Sequence, residues 1–518
     1  MTCTVPPIDS RAAWRVVVVG VSALALLTAG CSKDDKPAGR GGSSASSASG
    51  ALGSRVSELR RPAGPVADMS EELTGGMGKP FIGNASGTHL SGTGFVEHEF
   101  VASGTATSYA ARGDLTSDGR WTFETGGSAA YRTRVLVRRP EDAAKFSGTV
   151  VVEWLNVSGG LDADPDYSNM EEELIRSGDA WVGVSAQLIG VEGGPVLVSA
   201  PGGQGLAGKG LKAIDPARYA SLAHPGDGFA FDIFTQVARA VRAGTTALGD
   251  LTPVQVLAVG QSQSAIALTT YYDGVQPLTS AFDGFLIHSR GGSGLPLVAP
   301  GTSADLAAAV GRGPALLRTD LDAPVLELQS ESDVTGILNS LVARQPDTDN
   351  FRLWEVAGTA HADKRLLGPT ADLLDCGAPV NNGPMHLVAK AALRALDRWV
   401  RTGNAPPEAP RLEISEGDKP ANVRDADGIA LGGVRTPLVD VPIDVLSGQP
   451  GPNGSLLCIL LGSTTPLSAT RLTQLYPSRA AYVEKYDDAT DATIQAGFVL
   501  QEDRDALIAF SDPSRIAQ

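Results

Sequence analysis

The sequence predicts an α/β fold, in which a mostly parallel central sheet carries helices on both faces and a C-terminal extension follows. Three observations carry this. From about residue 93, short β-rich runs alternate with helical stretches. The run Thr149-Val150-Val151-Val152-Glu153-Trp154-Leu155 is almost continuously apolar, as in a strand covered on both faces. A second apolar run, 254–259, stops at Gly260 and passes into a helical pattern within a few residues.

Taken in chain order, 94–101 and 131–137 read as early strands, the second through its alternation of Tyr131, Thr133, Val135 and Val137. After the strand at 149–155, a helix over 167–177 and a strand over 181–186 are expected. The stretch 188–227 is rich in Gly and Pro and weakly periodic, which suggests a lid or a binding loop. Residues 227–242 place Phe229, Ile233, Phe234, Val237 and Val241 on one side of a helix. The strand at 254–259 is followed by a helix over 264–272. Further strands are expected at 282–287, 324–328 and 351–356, with helices at 304–310 and 335–343 between them. An amphipathic helix over 385–401 is stopped by Gly403 and Pro406-Pro407. Beyond it, 410–518 suggests short strands and one or two helices.

The chain has 518 residues, 42% hydrophobic and 19% charged, which fits a packed globular protein and excludes wholesale disorder. Its formal net charge is −16, and it has no basic cluster able to follow a phosphate backbone, so a nucleic-acid partner is not expected. Four cysteines without C-x-x-C spacing do not suggest a structural zinc site. Asp162, Asp164 and Asp166 alternate suggestively, but Pro165 and the lack of a following glutamate argue against calcium. The expectation is no metal and no cofactor.

The N-terminus reads as an address. Arg11 and Arg15 precede an apolar core over 16–27, and Thr28-Ala29-Gly30-Cys31 follows. That core is shorter than the roughly 20 residues a membrane span needs. The ending resembles a bacterial lipobox, which implies that residues 1–30 are a signal peptide and that Cys31 is lipidated. Plain signal-peptidase cleavage is the alternative. Residues 41–50 contain only Gly, Ser and Ala, so 31–65 reads as a flexible tether. A catalytic domain over 66–405 and an extension over 406–518 complete the organisation. The expected location is the cell envelope, facing outward on a lipid anchor, or else secretion. Export would leave Cys376 and Cys458 as a pair in an oxidising compartment, where a disulfide is expected and two buried free thiols are the alternative.

The chemistry centres on Gly260-Gln261-Ser262-Gln263-Ser264. A serine on a tight strand-to-helix turn needs small residues two before and two after it. Around Ser262 these are Gly260 and Ser264; around Ser264 the second would be the β-branched Ile266. Ser262 is therefore the better nucleophile. Two carboxylates, Glu331 and Asp333, follow the strand at 324–328, and His361 follows the strand at 351–356. That is the chain order Ser, Asp/Glu, His at the C-terminal ends of strands. Of the other histidines, His89 and His98 precede the main sheet, His224 lies in the long loop and His386 in a helix. His288 ends a strand but comes too early, and suits a pocket wall or a buried hydrogen bond.

With these phrases in place, the chain resembles the alpha/beta hydrolases, and more narrowly bacterial "alpha/beta hydrolase domain" proteins of undefined substrate. The resemblance rests on 148–160, on Val182-Gly183-Val184-Ser185-Ala186-Gln187 and on Arg218-Tyr219 with His224-Pro225-Gly226-Asp227. It rests also on Asp232-Ile233-Phe234, the Ser262 turn, Ser330-Glu331-Ser332-Asp333, Gly358-Thr359-Ala360-His361 and 376–401. It covers most of 90–515. It implies a Ser262–His361–Asp333 triad, with Asp333 as the acid because Ser330-Glu331-Ser332-Asp333 resembles a G-x-x-D turn. It also implies an oxyanion site built from the backbone N–H of Gln263 and one near Asn156 and Val157. The implied activity is that of a serine esterase on a small-molecule ester substrate. A non-catalytic surface-binding lipoprotein is the alternative, as is acyl transfer or peptide cleavage on the same triad, since fold and triad do not encode the acceptor.

Overall fold

The computed structural model describes residues 63–83, 87–199, 205–310 and 312–517. The signal, Cys31 and almost all of the expected tether lie outside the described residues.

An eight-stranded sheet is the frame. Its order is β1 (Phe95–Ala111), β2 (Phe123–Pro140), β4 (Ala180–Val184), β3 (Thr149–Trp154), β5 (Gln255–Gln261), β6 (Gly284–His288), β7 (Val325–Ser330), β8 (Phe351–Val356). The pairs β1–β2 and β2–β4 are antiparallel, and every pair from β4 through β8 is parallel. This is the α/β hydrolase fold with a C-terminal extension. The parallel strands are buried almost throughout, which explains why they read as continuous apolar runs.

The helices that cover the sheet are α1 (Pro165–Ser177), α2 (Ala230–Arg242), α3 (Gln263–Thr270) and α4 (Met385–Thr402). On one face, Trp154 of β3 packs against Phe231 and Phe234 of α2 at ring-centroid distances of 5.5 and 5.0 Å. On the other, Trp181 of β4 meets Tyr167 of α1 at 4.8 Å. Burying each such ring stabilises the fold by about 1.5–3 kcal/mol before packing geometry adds to it.

Several expected elements change extent. The ribbon β1–β2 is far longer than the strands read at 94–101 and 131–137. Its outer half is built from small residues (Gly104, Ala106, Gly126, Gly127, Ala129), which carry little strand signal. The expected helix at 335–343 is instead a short helix Glu331–Thr335 and a 3-10 turn Ser340–Ala343. The expected helix at 304–310 shortens to Leu306–Val310. The stretch 188–227 is not one loop, because it holds the short helices Leu188–Glu192, Gly210–Ile214 and Pro216–Tyr219. The extension has more helix than expected. The hairpin β9 (Asp444–Ser447) and β10 (Ser463–Pro466) encloses α5 (Leu456–Leu461), and α6 (Arg479–Gln495) follows with smaller helices around it.

The aspartates at 162, 164 and 166 have arginine or histidine partners. Asp162 accepts from Arg134 at 2.6 Å, Asp164 from Arg138 at 2.6 Å, and Asp166 faces His288 Nδ1 at 2.8 Å. Arg134 and Arg138 project from β2 and are fully buried, so the loop after β3 is tied to the antiparallel ribbon by charge. Arg138 also lies over the Tyr167 ring, 3.9 Å from its centroid. Among the described residues, no three His, Cys, Asp or Glu side chains are grouped to hold a metal ion. Among the same residues, no helix is long and apolar enough to cross a membrane.

Candidate active site

Three strand ends converge. Strand β5 ends at Gln261, and Ser262 then turns the chain into α3 with φ 66° and ψ −121°. A non-glycine residue with positive φ costs of the order of 1–3 kcal/mol and persists only where its surroundings fix it. Here Ser262 N donates to His288 O at 2.9 Å, and Ile266 N donates back to Ser262 O at 3.0 Å. A Cβ on Gly260 would come within 3.0 Å of both Ser264 Cβ and Leu268 Cδ1, so a larger residue there would press on the turn. The Ser264 hydroxyl is fully buried without a hydrogen-bond partner, whereas Ser262 is half-buried.

His361 follows β8 and places Nε2 2.8 Å from Ser262 Oγ. Its Nδ1 lies 2.7 Å from Asp333 Oδ1. The second oxygen, Asp333 Oδ2, accepts from Ser330 N at 2.7 Å and Ser330 Oγ at 2.6 Å, closing a capping box at the helix after β7. Burial alone would raise the Asp333 pKa, but the adjacent His361 and the bonds from His361 and Ser330 outweigh it. The net effect holds the carboxyl below its ordinary range, so it stays ionised. Ser332 Oγ accepts from His361 N at 2.8 Å and fixes the backbone of the histidine loop.

Glu331 points away from the histidine. Its oxygens accept from Gly358 N and Gly448 N, each at 2.9 Å, and it pairs with Arg424. The remaining histidines lie in other settings. His224 donates Nε2–H to Ala186 O at 2.9 Å and accepts from Gly226 N at 3.2 Å, and burial lowers its pKa. His98 faces Glu72, His89 faces Glu171, and His386 sits in α4, where burial pushes its pKa down to about 3.

Of the expected oxyanion donors, Gln263 N lies at the first turn of α3, directly after Ser262. Val157 N is close by but donates to the side-chain oxygen of Gln263 at 3.1 Å. Cys376 and Cys458 are joined in a disulfide, Cα–Cα 5.5 Å.

A buried amide network beneath the serine was not read from the sequence. Asn156 Nδ2 donates to Gln261 O and Asn169 Nδ2 to Gln261 Oε1, each at 3.0 Å, while Gln261 Nε2 donates to His361 O at 3.1 Å. The only trace of it in the sequence is glutamine and asparagine standing where a buried strand end would otherwise be apolar.

The profile of the family described as "Alpha/beta hydrolase domain" matches residues 62–509. The chain belongs to this family. Solved structures of similar fold include XC6422 from Xanthomonas campestris, described as an a/b serine hydrolase without lid. It is 11% identical, with 57% of this chain and 95% of that one covered and a TM-score of 0.29. Carboxyl esterase 2 of Tuber melanosporum is 13% identical, with 61% and 91% covered and a TM-score of 0.29. A thermostable esterase of Pseudomonas putida ECU1011 is 13% identical, with 61% and 86% covered and a TM-score of 0.28. These likenesses are too distant to carry a substrate. No curated protein matches the chain.

Proposed function

We propose that this member of the alpha/beta hydrolase domain family is a serine hydrolase that cleaves carboxylic esters through an acyl-enzyme on Ser262. The observation that carries the reading is the unbroken chain Ser262 Oγ–His361–Asp333, at 2.8 and 2.7 Å, on a serine held at positive φ.

Ser262 Oγ attacks the acyl carbon of a small-molecule ester while His361 Nε2 takes its proton. The tetrahedral oxyanion is received by Gln263 N and Val157 N. Collapse expels the alcohol, which takes the proton from His361. Water then attacks the acyl-enzyme, giving its proton to His361, and Ser262 is regenerated as the acid leaves. Asp333 keeps Nδ1–H pointed at itself, so Nε2 is free to accept, and its ionised state stabilises the imidazolium. No cofactor enters the scheme.

The test is labelling with a fluorophosphonate, followed by an ester panel graded in acyl length. Ser262→Ala should abolish labelling and lower kcat by roughly 10⁴–10⁶. Ser264→Ala should keep most activity, because its hydroxyl reaches nothing. Labelling that survives Ser262→Ala overturns the assignment.

The same reading places the enzyme outside the cytoplasm on a lipid anchor at Cys31. The lipobox-like ending supports this, and so does the Cys376–Cys458 bond, which suits an oxidising compartment. Mass spectrometry of the mature N-terminus should find a multiply acylated Cys31. An unmodified N-terminus further along the chain refutes it.

A further inference from the structure

Behind the nucleophile, two glutamine side chains form a directed line of hydrogen bonds. Asp227 Oδ2 accepts from Gln187 Nε2 at 3.2 Å. Gln187 Oε1 accepts from Gln263 Nε2 at 2.5 Å and from Trp154 Nε1 at 3.0 Å. Gln263 Oε1 then accepts from Val157 N at 3.1 Å. All five residues are buried.

Chemistry dictates which way each amide points. An indole N–H only donates, so Gln187 turns its oxygen to Trp154. Its NH₂ is then left for the Asp227 carboxylate, which also accepts from Leu188 N at 2.7 Å and Ala304 N at 2.8 Å. Gln263 must offer its NH₂ to the Gln187 oxygen. Its own carbonyl oxygen therefore faces Val157 N–H and no other donor.

The neighbouring N–H groups of that loop are bound elsewhere. Asn156 N donates to Ala163 O at 2.9 Å, Ser158 N to Asn156 Oδ1 at 2.8 Å, and Gly160 N to Val157 O at 2.9 Å. In the free protein the Gln263 carbonyl thus holds the place on Val157 N–H that a substrate oxygen would need.

On the reading of Ser262 as nucleophile, we propose that Gln263 is a positioning residue that keeps Val157 N–H closed to a neutral ester carbonyl and yields it to the oxyanion. Swapping one neutral acceptor for another gains nothing, so the ground-state carbonyl does not displace Gln263. The tetrahedral oxyanion does, because a charge-assisted hydrogen bond is about twice as strong as a neutral one. The second oxyanion donor is then recruited in the transition state alone, where it speeds the reaction instead of merely tightening substrate binding. Gln187 and Asp227 set how firmly the side chain is held.

Two experiments on the full-length protein decide it. Gln263→Met keeps the length of the side chain and removes its carbonyl, while Gln187 Oε1 retains Trp154. The ester substrate should then reach Val157 N–H in the ground state. KM should fall and kcat/KM rise by about threefold to tenfold, the worth of one neutral hydrogen bond, with the gain in KM and not in kcat. An unchanged KM with kcat down by a hundredfold or more would make Gln263 a brace for the loop and overturn the proposal. The second experiment is the crystal structure of the wild-type protein phosphonylated on Ser262, which needs no variant to fold. Val157 N should lie about 2.7–3.1 Å from the phosphonyl oxygen, as an oxyanion donor does, with the Gln263 carbonyl displaced. Gln263 still bonded to Val157 N in the adduct overturns the gate while leaving the triad intact. Failure to form any adduct removes the serine-hydrolase reading itself, and the gate with it.

Discussion

Asp333 and Glu331 stand two residues apart after β7, both fully buried, and the structure gives them different work. Asp333→Asn tests the division. Asp333 meets donors at both oxygens, His361 Nδ1–H on one side and Ser330 N–H and O–H on the other. An asparagine has one acceptor oxygen for these two sides. The Ser330 side offers two donors, so the amide oxygen turns there and the NH₂ faces His361. Nδ1 must then accept, Nε2 carries the proton, and it cannot take the one on Ser262. Wrong-tautomer variants of such triads lose about 10⁴ in kcat, close to 5.5 kcal/mol in the barrier. Glu331→Gln acts elsewhere. It leaves the Arg424 guanidinium facing a neutral amide and weakens the bonds from Gly358 N and Gly448 N. Breaking a buried pair costs about 3–5 kcal/mol, and the lower end applies because Arg424 keeps some contact with solvent. The assay is p-nitrophenyl ester turnover per fluorophosphonate-titrated site, beside a urea melt of each variant. Asp333→Asn should lose turnover and keep its midpoint, and Glu331→Gln should do the reverse. Glu331→Gln losing a thousandfold per titrated site while Asp333→Asn stays near wild type would refute the assignment of the acid.

The Cys376–Cys458 bond spans 82 residues, so removing both cysteines should destabilise the protein by up to about 4–5 kcal/mol in a denaturant melt. A non-reducing peptide map that recovers two free thiols would decide against the bond. His386 is held neutral by burial and by the nearby Arg365 and Lys390, with its pKa at about 3 in the fold against 6.5 unfolded. The unfolded chain therefore takes a proton that the folded one refuses, and stability present above pH 6.5 is lost as the pH falls towards 3. Between pH 7 and pH 5 this loss is about 2 kcal/mol, and His386→Gln should remove it from the pH dependence of urea unfolding.

The grouping of Ser262, His361 and Asp333 was legible because the chemistry proposed for them constrains neighbouring sequence. A serine at positive φ needs Gly260 and Ser264 beside it, and the acid and histidine need strand ends, which β-rich runs mark plainly. The ionic ties between β2 and the loop after β3 were not legible. The alternation of Tyr131, Thr133, Val135 and Val137 marks a strand, but it does not say where Arg134 and Arg138, on the other face, find partners for their charge. Both faces are buried there, and the two arginines pair with Asp162 and Asp164 of the loop after β3 and with Glu99 and Glu97 of β1. A charge ladder of this kind looks like ligand spacing until its partners are known. The amide line through Gln187 was hidden for a related reason. Glutamine has no periodic signature, and its role depends on which donor faces it.

The same limit explains why the C-terminal extension reads as an appendage in sequence yet serves the site in the fold. His361 sits on a loop that the catalytic body and the extension hold together. Ala362 N, the next amide, donates to Leu460 O at 3.1 Å in the extension. Asn381 Nδ2 bridges Gly358 O at 3.1 Å to Ser447 O at 3.0 Å, so the turn before the histidine is pinned to β9. Asn381 N in turn donates to Leu461 O at 3.0 Å. Glu331 completes the clasp, taking Gly358 N from the histidine loop and Gly448 N from the extension with one carboxylate. The disulfide lies on the same seam, with Cys458 in α5, two residues before Leu460. On the proposed mechanism, His361 must keep Nε2 close to Ser262 Oγ, 2.8 Å away here, through two proton transfers, and that needs a rigid loop. In this chain, residues 80 to 100 positions further along share in supplying that rigidity with Ser332 and Gln261. The extension thus helps to hold the loop that carries His361, across the change of sequence pattern near residue 405.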